Sequence, residues 1–300
     1  MKIAVTGASG VVGRPLVVAL RTEGHDVVRL VRGAPASQDE RSWDPASGKL
    51  DPRVIADTDA VIHLAGAGVA DHRWTPAYRK MILDSRVDGT GAVAQAVAQA
   101  MTSADGPRIL LSASAIGYYG DTGDRQLDET GPRGRGFLAD VVAAWEDATA
   151  PAEAAGVRVA HLRTGIVLSS AGGALATQVK VFRLGLGAPL GTGRQWVSWI
   201  SLQDEIGAIG HLLTADISGP VNLVAPGAVT NREFTKVLGR VLRRPTLPVA
   251  VPAPVLRAGL GGFATEGVLQ GQRLVPAVLE ASGYRFVHRD LEAALQAELN

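Results

Sequence analysis

Lys2-Ile3-Ala4-Val5-Thr6-Gly7-Ala8-Ser9-Gly10-Val11-Val12-Gly13 decides the fold. Its first five residues form a short, mostly apolar run that stops at glycine, which reads as a buried parallel strand. Val12, Leu16, Ala19 and Leu20 then recur at helical spacing, and Gly24 follows Glu23 where a left-handed cap ends a helix. A second apolar run over residues 26–31 completes a βαβ unit of about thirty residues, the length such a unit needs. Glycines 7, 10 and 13 sit between the strand and the helix. A dinucleotide pyrophosphate needs close approach to the main chain and gains from the positive end of the following helix. Gly7 would make the turn, Gly10 would admit the phosphates, and Gly13 would let the helix pack on the strand. Thr6, Gly7, Ser9, Gly10, Val11, Val12 and Gly13 are therefore the expected grip on the cofactor.

The end of the second strand carries the choice of cofactor. An acid there would bind the ribose 2′-hydroxyl, and a base would accept a 2′-phosphate. The strand ends Leu30-Val31-Arg32-Gly33, with no acid between Arg32 and Asp39. Arg32 offers a planar, charge-assisted fork, so NADP(H) is expected over NAD. A solvated surface arginine is the alternative reading of Arg32.

The chain beyond repeats the alternation. Strands are expected at residues 59–65, 108–114 and 157–162, with helices at 76–101 and 136–155 between them. That pattern gives a parallel sheet with helices on both faces. After Leu168, glycines crowd positions 172, 173, 185, 187, 191 and 193, where the sheet gives way to a loop-rich lobe. Residues 203–213 and 219–223 are expected to return to the sheet. Residues 231–243 should form a helix with Asn231 as N-cap, and the proline-rich stretch 245–254 leads into a small C-terminal lobe. The expected fold is α/β: a Rossmann-type, doubly wound parallel sheet over residues 1–170, completed by 201–225, with a smaller substrate lobe from 171–200 and 226–300.

Bulk properties narrow the function. Of 300 residues, 46% are hydrophobic and 20% charged, as in a globular chain with a sizeable core. A net charge of +1 with scattered basic residues leaves no footprint for nucleic acid. There is no cysteine, which removes disulfides, thiolate metal sites and a cysteine nucleophile. The six histidines lie far apart without a short-spaced ligand pair, so no metal is expected. Strand-like residues begin at Lys2, and no run of about 18 uncharged apolar residues follows. A cytoplasmic protein with a small-molecule substrate and no membrane partner is expected; a homodimer stays open.

By its motifs the chain resembles the extended short-chain dehydrogenase/reductase and sugar-nucleotide epimerase superfamily. The motifs are Thr6-Gly7-x-x-Gly10-x-x-Gly13, His63-Leu64-Ala65-Gly66-Ala67, and Ser112-Ala113-Ser114-Ala115-Ile116-Gly117-Tyr118-Tyr119-Gly120. Ser85-Arg86-Val87-Asp88-Gly89-Thr90, Trp145-Glu146, the stretch Gly191-Thr192-Gly193-Arg194-Gln195-Trp196-Val197-Ser198-Trp199-Ile200 and the proline-rich tail narrow the likeness. They look like the atypical subgroup that joins an NAD(P)-dependent epimerase/dehydratase domain to a C-terminal domain of unknown function. The resemblance spans essentially the whole chain and implies positions as well as a fold. His63, Leu64, Ala65 and Gly66 would line the cofactor, with Ser112 on the next strand. Trp43 and Asp44 would lie near the adenine, Arg86 would stand in for a helix asparagine, and Arg163, Thr164 and Gly165 would run beside the nicotinamide. Taken as bare sequence, His63 and Trp43 read equally well as core residues.

The family's usual proton donor, a tyrosine with a lysine four residues on, is missing. The four tyrosines are Tyr78, Tyr118, Tyr119 and Tyr284, followed at that spacing by Ile82, Thr122, Gly123 and His288. By alignment the pair falls on Phe137 and Val141, which cannot transfer a proton. Ser114 matches the family's serine, at the strand edge where ligands of open α/β sheets gather. Tyr118, with Tyr119 as its rival, could point into the same pocket. These three are the candidate catalytic residues, expected to hydrogen-bond the substrate oxygen; the alternative is that the aromatics only wall the site. Glu146 reads either as a solvated helix face or as a polar group near the pocket. Gln195, Trp196 and Trp199 read as a substrate-facing loop or as structural aromatics. Asp204 and Glu205 read as ordinary helix N-terminal acids. The leading expectation is an NADP(H)-dependent oxidoreductase acting on a carbonyl or alcohol. Sugar-nucleotide epimerisation and a non-catalytic NADP(H)-binding sensor or assembly protein are the alternatives.

Overall fold

The computed structural model describes residues 1–101 and 106–299. The chain opens with β1 (Lys2–Thr6), α1 (Gly13–Thr22), β2 (Asp26–Val31) and β3 (Glu40–Ser42). It continues through β4 (Ala60–His63), α2 (Pro76–Ala100), β5 (Ile109–Ala115), β6 (Gln126–Leu127), α3 (Phe137–Asp147), α4 (Ala150–Ala154) and β7 (Arg158–Thr164). Next come β8 (Ile166–Leu168), α5 (Gly173–Arg183), β9 (Trp196–Val197), β10 (Trp199–Ser201), α6 (Leu202–Thr214) and β11 (Gly219–Leu223). The rest holds β12 (Val229–Thr230), α7 (Asn231–Val241), α8 (Ala253–Leu260), β13 (Arg273–Leu274), α9 (Ala277–Ala281) and α10 (Leu291–Leu299).

Seven of these strands form one sheet in the order β11-β7-β5-β4-β1-β2-β3, and every pairing is parallel. Because both faces are covered, the central strands are apolar throughout instead of alternating. Ile3 and Val5 face a core shared with Leu16 and Leu20 of α1 and Ile209 and Leu212 of α6. Ala4 faces the opposite core, with Val93 and Val97 of α2 and Leu110. The chain leaves β1 first toward β2 and later returns on its other side at β4. The crevice for ligands therefore opens beyond the carboxyl ends of β1 and β4, the topological switch point.

Several elements depart from the sequence expectation, each for a local reason. Strand β3 was not anticipated: Glu40-Arg41-Ser42 is polar because it closes the sheet edge. The helix expected over 136–155 breaks into α3 and α4 around Thr149, whose hydroxyl donates to Glu146 O at 2.8 Å, and Pro151 lacks the amide to continue the ladder. Residues 203–213 are a helix laid on the sheet, and only 219–223 form a strand in it. Thr230, not Asn231, caps α7, in a reciprocal capping box with Glu233. The Asn231 amide oxygen instead accepts from Leu190 N at 2.8 Å.

A third core joins α5, α7 and α10 through Leu175, Phe182, Phe234, Leu238 and Leu295. The buried Asp204 carboxylate ties the C-terminal segment to α6, accepting from Val287 N at 2.7 Å, His288 N at 2.9 Å and Tyr284 Oη at 3.2 Å. Among the described residues no helix is long and apolar enough to cross a membrane.

The glycine turn is a steric necessity. A Cβ at Gly13 would lie 2.1 Å from Gly7 O, and one at Gly7 would lie 2.8 Å from Leu64 C. Gly13→Ala should therefore destabilise the protein by ~1–3 kcal/mol, the usual range for overpacking. Urea denaturation would check this, and an unchanged midpoint would contradict the packing.

Candidate active site

Gly7 adopts a φ of +67°, and Gly10 N donates to Gly7 O at 2.9 Å, so the turn is tight. Gly10 differs from its neighbours. A Cβ there would meet only Gly7 O, at 3.2 Å, so the protein leaves space on its outer side. The main-chain N–H groups of Val11 and Val12 carry no hydrogen bond among the described residues, and α1 has no acid in its first turn. Free amides, an uncompensated helix dipole and an open glycine fit a phosphate chain. Thr6 Oγ1 links the turn to the exit of β4, accepting from Leu64 N at 3.0 Å and Ala65 N at 3.3 Å. Its own proton is thus directed at His63 Nδ1, 2.8 Å away. Burial pushes His63 down to about 4, and its Nε2 has no partner among the described residues, so the ring is a neutral core group beneath the edge.

At the end of β2, Arg32 is exposed and forms no ion pair among the described residues. Its neighbours differ. Arg29 and Arg21 both bind Asp39, and Arg41 binds Asp57. Arg29, then Ser37 and Arg21, hold the Asp39 carboxyl well below the usual range. The acid nearest Arg32 in this loop is thereby committed to its own cations, which leaves Arg32 as the charged group available to a ligand there.

Ser114, near the end of β5, heads a buried polar network. Its hydroxyl lies 2.5 Å from Glu146 Oε1 on α3. Arg163 of β7 grips both oxygens of that carboxylate, Nε to Oε1 and Nη2 to Oε2, each at 2.8 Å. Its Nη1 donates to Tyr119 Oη at 2.9 Å, and Tyr119 donates to Asn222 Oδ1 at 2.8 Å. Burial opposes the charge of Arg163, but the Glu146 carboxylate outweighs it and holds the guanidinium above its ordinary value. Burial pushes the Tyr119 hydroxyl up to about 12, with Arg163 pulling back, and both of its hydrogen-bonding roles are filled. Tyr118 is only half-buried. Its ring lies 3.6 Å from the Arg163 guanidinium carbon, and its hydroxyl makes no hydrogen bond among the described residues.

Of the other expected cofactor residues, Ser9 and Gly66 are exposed, while Val11, Val12, Leu64 and Ala65 are half-buried beside the turn. Ser112 is buried one pleat below Ser114. Thr164 donates to Glu205 at 2.8 Å, and a Cβ at Gly165 would lie 2.6 Å from Ser198 O. Arg86 is buried and has no carboxylate partner among the described residues; its Nη1 donates to Ala67 O and Ile82 O, and burial lowers it to about 10. Trp43 packs inside the core, its ring edge-on to His63 at 6.0 Å, and Asp44 caps a short turn by accepting from Ala46 N. In the 191–200 stretch, Trp199 is fully buried and donates to Gly227 O. Gln195 staples Leu190 O to Val268 O, and Trp196 donates to Asp124. These three side chains hold the lobe together.

The face of α3 turned to Ser114 is Leu138, Val142 and Glu146, spaced four apart. A Cβ on Gly117, which follows β5, would touch Leu138 and Val142. Phe137 and Val141, the positions aligned with the tyrosine and lysine, point instead at Tyr78, Ile82 and Trp74. In either register no tyrosine or lysine is present. Sequence reasoning missed the pairing of Glu146 with Arg163, and also Asn222 and Glu205. Glu205 looked like an ordinary first-turn acid, yet α6 lies on the sheet and its carboxyl is wholly enclosed.

Burial raises Glu205 to about 8 from an ordinary 4.5, opposed by the Thr164 hydrogen bond. Between those values the folded protein keeps a proton that the unfolded chain has lost, so stability falls as pH rises across the window and levels above it. Glu205→Gln should remove that decline, a difference on the order of a few kcal/mol between pH 5 and 8. Denaturation curves of both proteins across the window would check it. An equal decline in the variant would contradict the assignment.

Residues 3–224 match the model of the NAD dependent epimerase/dehydratase family, and residues 251–298 match a domain of unknown function, DUF1731. Epimerase family protein Mb2239 of Mycobacterium bovis is 47% identical over 294 residues, covering 98% of this chain and 96% of that protein. The crystal structure of human epimerase family protein SDR39U1 (isoform 2) with NADPH is similar at a TM-score of 0.86 and 30% identity, over 99% of this chain and 98% of that one. The nucleoside-diphosphate sugar epimerase from Corynebacterium glutamicum gives a TM-score of 0.81 and 37% identity, over 100% of this chain and 58% of that one. The chain belongs to the NAD dependent epimerase/dehydratase family.

Proposed function

We propose that this protein is an NADP(H)-dependent oxidoreductase of the atypical extended class, acting on a small-molecule carbonyl or alcohol. The observation that carries the cofactor choice is the unpaired Arg32 at the end of β2, the strand that flanks β1 and its glycine turn, with Asp39 held by Arg29 and Arg21. The human relative's structure with NADPH supports the same choice. The free amides of Val11 and Val12 would hold the pyrophosphate and Arg32 the 2′-phosphate. Bound NADP(H) supplies the two-electron exchange. Ser114 stands at the same sheet edge and would hydrogen-bond the substrate oxygen, with the free Tyr118 hydroxyl, not the engaged Tyr119, as the second polar group. Residues 171–200 and 226–300 would complete the substrate side.

Two measurements test this. Arg32→Ala should weaken NADPH at least ~10-fold while leaving NADH nearly unchanged, since a charge-assisted contact contributes ~1.5–3 kcal/mol. Equal losses for both cofactors would contradict the 2′-phosphate site. In turnover assays over carbonyl panels with NADPH and alcohol panels with NADP⁺, the wild type should exchange cofactor, and Ser114→Ala should slow it by ~10²-fold or more. Cofactor that binds and is retained without net consumption would favour epimerisation, and binding without chemistry on any compound would favour the sensor.

A further inference from the structure

We infer that Ser114 is a proton acceptor that passes its own proton to Glu146, so that the group Ser114 binds is the substrate's alcohol. This rests on the oxidoreductase reading above and specifies the role of Ser114 in it. A carboxylate gripped by both Nε and Nη2 of Arg163, at 2.8 Å each, is ionised and has no proton to give. The hydroxyl of Ser114, 2.5 Å from Glu146 Oε1, must therefore be the donor in that bond. A serine hydroxyl has one proton, and with it committed only lone pairs remain for a ligand. A carbonyl oxygen brings no proton and cannot bond to those lone pairs, so Ser114 offers it nothing and the Tyr118 hydroxyl is the one donor left to it. A substrate hydroxyl can.

The proton then has a complete path. The substrate O–H bond breaks and a new O–H bond forms on Ser114 Oγ, while the serine's original proton bonds to Glu146 Oε1. Net, one proton moves from substrate to carboxylate. The carbon–oxygen double bond forms as the two electrons and the carbon-bound hydrogen leave to the oxidant, NADP⁺. Glu146 touches neither substrate nor cofactor in this scheme; it is a positioning group and proton store behind Ser114. Arg163 fixes it through the bidentate pair and is itself held by Tyr119, which in turn bonds Asn222. The positions one and two turns earlier on the same face of α3 are Val142 and Leu138, so that face offers no competing acid.

The test uses the whole chain with NADP⁺ and the alcohol panel. Glu146→Gln should lower kcat by ~10²-fold or more, with NADP⁺ affinity within about twofold of wild type. Turnover that survives Glu146→Gln with its rate unchanged overturns the proposal alone. Absence of turnover by the wild type on either panel fails the oxidoreductase reading and the proposal with it. A second readout needs no activity. Infrared spectra of the ligand-free protein should contain a carboxylate band that Glu146→Gln removes and Ser114→Ala shifts. A band that ignores Ser114→Ala overturns the hydrogen bond on which the inference stands.

Discussion

The approach of Gly13 to Gly7, close enough that a Cβ would sit 2.1 Å from a carbonyl oxygen, fixes much of what the molecule can do. It seats the N-terminus of α1 directly against the end of β1, so the helix's free amides face the switch point of the sheet. The same turn abuts the main chain of Leu64, and Thr6 captures the two amides that follow β4. Two strand exits 58 positions apart are thereby locked into one edge. Gly10 alone is unconstrained from outside, and that is the side open to a ligand.

Charge placement does the second half of the work. Cations near the crevice are sorted into those with carboxylate partners and those without. Arg21, Arg29 and Arg41 are neutralised by Asp39 and Asp57, and Arg163 by Glu146. Arg32 and Arg86 have no carboxylate partner among the described residues, the first exposed at the end of β2 and the second buried under the 65–68 loop. The Arg163–Glu146 pair is buried, so its oxygens and protons had to be satisfied by Ser114 and Tyr119 as well as by each other. This requirement explains why Tyr119 is a structural member of the network and why Tyr118, stacked on the guanidinium with a free hydroxyl, is the aromatic with a group to spare.

The sequence made the βαβ start, the alternation of strands and helices and the glycine turn legible, because each is written in neighbouring residues. The position of Arg32 was legible for the same reason: it follows a strand whose boundary is plain. The network around Ser114 was not. Its partners come from positions 114, 119, 146, 163 and 222, and no local period links a serine to a glutamate 32 residues away. Strand β3 escaped because an edge strand needs no apolar pattern, and Trp199 was ambiguous because an aromatic in a glycine-rich loop serves as readily for packing as for binding. Glu205 shows the limit most directly. One carboxylate in a first turn is ordinary, and only the sheet beneath α6 makes it an enclosed group whose burial favours the protonated form.

A crystal structure of the protein with NADPH tests the central claim most directly. The account predicts the 2′-phosphate against Arg32, the pyrophosphate on the amides of Val11 and Val12 over Gly10, and the nicotinamide ring at the edge that holds Ser114. An adenosine ribose held by Asp39, or a nicotinamide turned away from Ser114, would contradict it.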